Sequence, residues 1–118
     1  RSLVQIRVSQ LNHCPFCIDL NAALAAERSG SIDKALAVGH WRSSEAFDTS
    51  ERLALEYAEA MTDSSQCVDA ELIARLRTRF DERALIELTA LVAFQNLSSK
   101  FNAALDIPAQ GLCAPMPR

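Results

Sequence analysis

Turn-forming residues are scarce in this chain, with three glycines and four prolines among 118 positions and two of the prolines in the last four. A β-sandwich or barrel needs such punctuation between its short strands, and the β-branched residues never gather into alternating runs, so a sheet protein is excluded. Excess basic charge is also lacking. Twelve Lys and Arg are scattered among fifteen Asp and Glu, for a net charge of -3, which leaves no stripe to neutralise phosphates and makes nucleic acid an unexpected partner. No apolar run approaches the roughly 20 residues that span a bilayer, and nothing near Arg1 reads as a signal peptide. A cytoplasmic protein without membrane contact is the expectation. There is no glycine-rich phosphate loop, and the methionines and aromatics form no cofactor-binding pattern, so flavin and nucleotide cofactors are not expected. Metal is not expected either, because His13 and His40 are the two histidines and neither an HxxxH nor a second CxxC accompanies them.

What is present is 49% hydrophobic, enough for one domain to bury a core without disulfide staples. The chain starts without Met in what reads as the middle of a helix, so further residues before Arg1 are expected. The whole reads as all-α. A first helix runs from Leu3 to Leu11 on Leu3, Val4, Ile6, Val8 and Leu11. Asn12 to Pro15 interrupts it, since a residue before proline is pushed from helical angles while proline suits the first helical position. A second helix starts about Cys14 and stops at Ser29-Gly30. Ser31 caps a shorter helix to about Val38. Asp48 with Glu51 three residues later is a capping-box start for Arg52 to Met61, and Thr62 to Gln66 is the loop after it. Asp69 to Phe80 is helical, and Asp81 caps the longest helix, Glu82 to about Leu105, which Pro108 and Gly111 end. In that helix Leu85, Ile86, Leu88, Leu91, Val92, Phe94, Leu97 and Phe101 cover more than one face. Such a helix is a central core element, or hands a face to another subunit, or both, and a homo-oligomer is expected.

Chemistry concentrates at Cys14-Pro15-Phe16-Cys17. A helix starting at or beside Cys14 puts both sulfurs in its first turn and on one face. Helical Cα atoms three apart lie roughly 5 Å from each other, inside the window of about 4.4 to 6.8 Å that a disulfide requires, so the pair can close without backbone movement. Free amides and about half a positive charge at a helix N-terminus also stabilise a thiolate and lower its pKa from about 8.5. The stripe continues as Asn21, Leu24 and Arg28, which predicts a recessed cleft suited to a small or apolar oxidant such as an organic hydroperoxide. The alternative for any cysteine is an inert small hydrophobe in the core. That reading is preferred for Cys67 and Cys113, which have no patterned neighbours, and not for the pair. His13 is expected at a helix end and His40 as a partly buried ring beside Trp41. Either could act as a base.

The run from Leu3 to Asn21, with Val8-Ser9-Gln10-Leu11-Asn12 leading into Cys14-Pro15-Phe16-Cys17-Ile18-Asp19, resembles the core signature of the alkylhydroperoxidase D-like and carboxymuconolactone decarboxylase family. The likeness extends through Trp41-Arg42, through Phe47-Asp48 to Met61-Thr62 with Glu51-Arg52 and Glu59-Ala60, and to Asn102-Ala103-Ala104-Leu105. It implies about six helices, assembly as trimers or hexamers, and a site at the start of the CxxC helix near a subunit contact. It also implies that Cys17 attacks a small hydroperoxide and becomes a sulfenic acid, that Cys14 resolves it to a disulfide, and that a thiol reductant reopens the bond. Peroxidases of this family add a proton relay, with a histidine four residues after the second cysteine and a glutamate twelve before the first. Here those positions hold Asn21 and Ser2, and His13 stands where glycine usually precedes the first cysteine. Asn21 can hold a water or hydrogen-bond a sulfur but takes no proton at neutral pH. The expected activity is a slow alkyl hydroperoxide reductase. The alternatives are a cofactor-free decarboxylase and a non-catalytic redox-sensing or assembly module of the same fold.

Overall fold

A computed structural model describes residues 1–30 and 32–112. Among these residues the chain is all-helical, with α1 (Ser2–Leu11), α2 (Pro15–Ser29), α3 (Asp33–Ala37), a 3₁₀ segment (Val38–Ser43), α4 (Thr49–Thr62), α5 (Ala70–Arg77) and α6 (Glu82–Ala104). None of the described helices is long and apolar enough to cross a membrane.

The helix starts follow from local chemistry. The Asp48 carboxylate accepts the Glu51 N–H at 2.8 Å while the Glu51 side chain accepts the Asp48 N–H at 2.9 Å, closing the capping box. Asp69 accepts from Leu72 N and Asp81 from Ala84 N in the same way. Gly30 ends α2 in the left-handed conformation with φ 73°, where a Cβ would be strained. The helix from Asp69 is shorter than expected. It ends at Arg77, and Phe80 instead folds back onto both apolar clusters from the connection to α6.

Packing differs from the sequence reading at the centre. The surrounded helix is α1, which packs against α2, α4 and α6. Val4, Ile6, Val8 and Ser9 are all buried, and burial at alternate positions of a helix requires neighbours on more than one side. Ala22 and Ala25 of α2, Ala54, Leu55 and Ala58 of α4, and Val92 of α6 complete this core. The opposite edge of α4 joins Leu72 and Leu76 of α5 and Leu85 of α6 in a second cluster. Helix α6 contributes Leu85 and Val92 to the interior, yet Ile86, Phe94, Leu97 and Phe101 on its other side are 61–66% exposed.

Between α3 and α4 the chain forms a 3₁₀ segment where the sequence pattern predicts no element. Its period of three puts Val38 and Trp41 inside and leaves His40 exposed, so His40 is not the partly buried ring expected. Cys67 is likewise no core residue. It is a free, exposed thiol in the loop between α4 and α5, where no helical repeat turns it inward. The expected cap Ser31 and the expected core residue Cys113 lie outside the described residues.

A buried carboxylate locks the interior. Glu59 of α4 accepts from Arg7 Nε of α1 (2.7 Å), from Arg42 Nη1 (2.5 Å) and from Trp41 Nε1 (3.0 Å). Burial pushes its carboxyl up, but the hydrogen bonds from Arg42, Arg7 and Trp41 outweigh that and hold it below the ordinary carboxylate range.

Candidate dithiol site

Cys14 caps α2 from the extended region (φ -106°, ψ 92°), Pro15 fills the first helical position, and Cys17 lies in the first turn. The two Cα atoms are 5.3 Å apart and the sulfurs are in disulfide contact. The Cys17 backbone N–H donates to Cys14 Sγ at 3.2 Å, so the sulfur takes the role that a Ser or Asp oxygen has at an ordinary helix cap. The α1–α2 connection is tight. Cys14 N donates to Ser9 O at 3.0 Å, and His13 turns the chain with φ 54°. That conformation favours glycine over any residue with a Cβ.

Both sulfur-bearing residues are buried, Cys14 at 0% and Cys17 at 2% exposure. Their surroundings are polar. Asn21, one turn beyond Cys17 on α2, donates toward Ser9 Oγ (3.5 Å) and Gln95 Oε1 (3.4 Å), and Gln95 Nε2 donates to Ser9 Oγ (3.2 Å). Asn12 bridges Ser99 Oγ and Asn96 Oδ1, and Asn102 Nδ2 of α6 lies 3.8 Å from Cys17 Sγ. Among the described residues no buried side-chain nitrogen or oxygen lacks a partner. This neutral seam between α1, α2 and α6 was not legible as a site, although a glutamine in the middle of the most apolar helix was its one sequence signal.

The candidate residues thus divide. Cys14, Cys17 and Asn21 lie on the buried face of α2. His13 adjoins them in the chain but is exposed. Ser2 is not joined to Asn21 by a hydrogen bond; it accepts from Arg28 Nη1 at 2.6 Å. Arg28 continues the cysteine stripe at the exposed end of α2.

These features define an all-helical protein with a Cys-x-x-Cys pair built into a helix cap. The chain belongs to the carboxymuconolactone decarboxylase family, whose model matches residues 1–60, the part that carries α1, the dithiol and most of α4. It is 56% identical over 113 residues to the uncharacterized protein YnjA of Escherichia coli (strain K12), covering 96% of this chain and 62% of that one. The chain therefore spans less than two thirds of that relative. It is 30% identical over 106 residues to the uncharacterized protein YdfG of Bacillus subtilis (strain 168), covering 89% of this chain and 72% of the other. The fold is shared with ATU0492 of Agrobacterium tumefaciens, a protein of unknown function provisionally described as an antioxidant defence protein AhpD (TM-score 0.86, 20% identity, 92% of this chain and 75% of that one). It is shared also with the apo debrominase Bmp8 (TM-score 0.83, 24% identity, 94% and 60%).

Proposed function

We propose that this protein is a slow, thiol-dependent alkyl hydroperoxide reductase that cycles Cys14 and Cys17 between dithiol and disulfide. The observation that carries this reading is the sulfur pair at the opening turn of α2, 5.3 Å apart at Cα, with the Cys17 N–H on Cys14 Sγ and the Asn102 amide 3.8 Å from Cys17 Sγ. In the first step the Cys17 thiolate attacks the outer peroxide oxygen. An S–O bond forms, the O–O bond breaks, the sulfur loses two electrons, and the departing alkoxide takes a proton from water to leave as alcohol. Cys14 then attacks Cys17, forming the disulfide and releasing the sulfenic oxygen as water once Cys14 has given up its proton. An external thiol or dithiol reopens the bond. The neutral seam around Asn21 holds no base, and the loss of general-base assistance, typically ~10²–10⁴ in rate, is what makes turnover slow.

Stopped-flow reaction of the reduced protein with cumene hydroperoxide tests this. The Cys17→Ser variant should be inert, and Cys14→Ser should complete one turnover and stop at a trappable sulfenic acid. A Cys17→Ser variant as fast as the parent would overturn the assignment. We also propose a homo-oligomer, closed through the exposed apolar side of α6. A second reading, a redox-responsive assembly module, is favoured by one contact: Asn102, which touches Cys17, adjoins Phe101 of that exposed side. An oligomeric state that changes with dithiothreitol without peroxide consumption would support it.

A further inference from the structure

We infer that Asn102 is a catalytic residue of the dithiol site, its side-chain amide donating to the Cys17 sulfur and stabilising negative charge there. The inference rests on the hydroperoxide reductase reading and begins from an asymmetry in the cap. The first-turn amide that would ordinarily activate a thiolate points at Cys14, whose Sγ accepts the Cys17 N–H at 3.2 Å. Taken alone, that bond makes Cys14 the better stabilised sulfur, whereas the proposed cycle needs charge on Cys17. A second donor resolves the conflict.

Asn102 supplies it from a helix 85 residues away in sequence, with Nδ2 3.8 Å from Cys17 Sγ. Sulfur is larger than oxygen, and N–H···S contacts are correspondingly longer. The amide orientation is fixed by Ser98. Asn102 Nδ2 also donates to Ser98 O at 2.8 Å and lies 3.5 Å from Ser98 Oγ, and a carbonyl can only accept, so the nitrogen end faces this side and its second hydrogen is shared between the Ser98 hydroxyl and the sulfur. The residue is held in place by the close of α6, where Ile107 N donates to Asn102 O at 3.0 Å. Cys17 is buried while Asn102, in contact with its sulfur, is half-buried. Two charged side chains lie on the same helices. Asp19 of α2 accepts from Leu112 N, and Lys100 of α6 donates to Asn12.

An amide cannot move a proton at neutral pH. It can favour the thiolate over the thiol, and after S–O bond formation it can donate to the sulfenate oxygen. That assigns Asn102 an electrostatic part of the reaction and leaves the relay positions empty of bases, consistent with slow turnover.

The experiment measures the Cys17 thiol pKa from ultraviolet thiolate absorbance in the Cys14→Ser protein, as the difference from Cys14→Ser/Cys17→Ser, which cancels the other cysteines. Adding Asn102→Ala should raise that pKa by about one unit and slow the reaction with cumene hydroperoxide about tenfold at neutral pH, the effect of losing one hydrogen bond to a charged group. Asn102→Asp, nearly the same shape, should raise it further, because a carboxylate replaces the donor. Unchanged pKa values in both variants would overturn the role of Asn102. The two readings separate cleanly: a parent protein that consumes no hydroperoxide sinks the reductase proposal, while the pKa shift still decides whether Asn102 stabilises the thiolate.

Discussion

His13 holds a left-handed conformation, φ 54°, at the turn that delivers Cys14 to the start of α2. A side chain there costs on the order of 1 kcal/mol relative to glycine. His13→Gly should therefore raise the melting temperature by a few degrees, and thermal denaturation followed by circular dichroism checks this. The same variant weighs the histidine as a base. An unaltered hydroperoxide rate makes His13 a turn residue alone, and a fall of about a hundredfold or more, the lower end of general-base effects of ~10²–10⁴, would give it a catalytic role. Asn21 faces the complementary test. Replacing its amide with an imidazole within reach of Ser9 and Gln95 should speed peroxide reduction by ~10² or more if a missing base limits the parent, and a rate that does not rise would count against the relay argument.

Glu59 sets a pH dependence whose sign follows from its surroundings. Its folded carboxyl is held below the ordinary range because Arg42, Arg7 and Trp41 outweigh the opposing effect of burial. In the unfolded chain the group titrates near an ordinary value of about 4.3. Stability from this site is therefore complete above that value and is lost as pH falls through the lower folded one. A plot of melting temperature against pH should drop on that acid side, and Glu59→Gln should flatten the drop. At neutral pH Glu59→Ala should cost about 3–5 kcal/mol, since Arg7 and Trp41 Nε1 are left without their acceptor.

At the scale of elements, punctuation was the part most readily read. Asp48, Asp69 and Asp81 cap where their side chains dictate, and the capping box of α4 contains both of its reciprocal bonds. Asp48→Ala should accordingly cost about 1 kcal/mol in denaturant unfolding. The start of α2 was equally legible, because Cys14-Pro15 leaves few conformations open and the resulting spacing brings the sulfurs together. What composition did not disclose was which helix is surrounded. Helix α6 has the more continuous apolar run, but α1 is the one enclosed, with Ser2 and Ser9 buried on it against the Arg28, Asn21 and Gln95 side chains. The 3₁₀ segment leaves little trace in the sequence for a similar reason: Val38 and Trp41 are too few to establish a period of three.

For the whole molecule, the exposed side of α6 is the feature with the largest consequence. Ile86, Phe94, Leu97 and Phe101 extend over about 22 Å of helix and are more than half exposed. Left in water, such a stripe favours self-association. Sedimentation at micromolar concentration should give a mass that is a multiple of one chain. A double change, Phe94→Glu with Leu97→Glu, should shift it toward the single chain while the helical circular dichroism is retained, since neither side chain belongs to the core. Sedimentation of the unaltered protein as a single chain would remove the oligomer from the proposal.

The helix starts at Cys14-Pro15, Asp48, Asp69 and Asp81, the all-helical class and the closeness of Cys14 to Cys17 were determined by the sequence alone, because each depends on interactions spanning only a few residues: a cap, a proline, a spacing of three. The bonds of Gln95 to Asn21 and Ser9 and the contact of Asn102 with Cys17 join residues 74 to 86 positions apart, and the enclosure of α1 needs α4 and α6 beside it. No local rule carries that information. Tertiary packing decided those features, since it is the approach of α6 to α1 and α2 that brings Gln95 to Ser9 and Asn21 and Asn102 to the Cys17 sulfur.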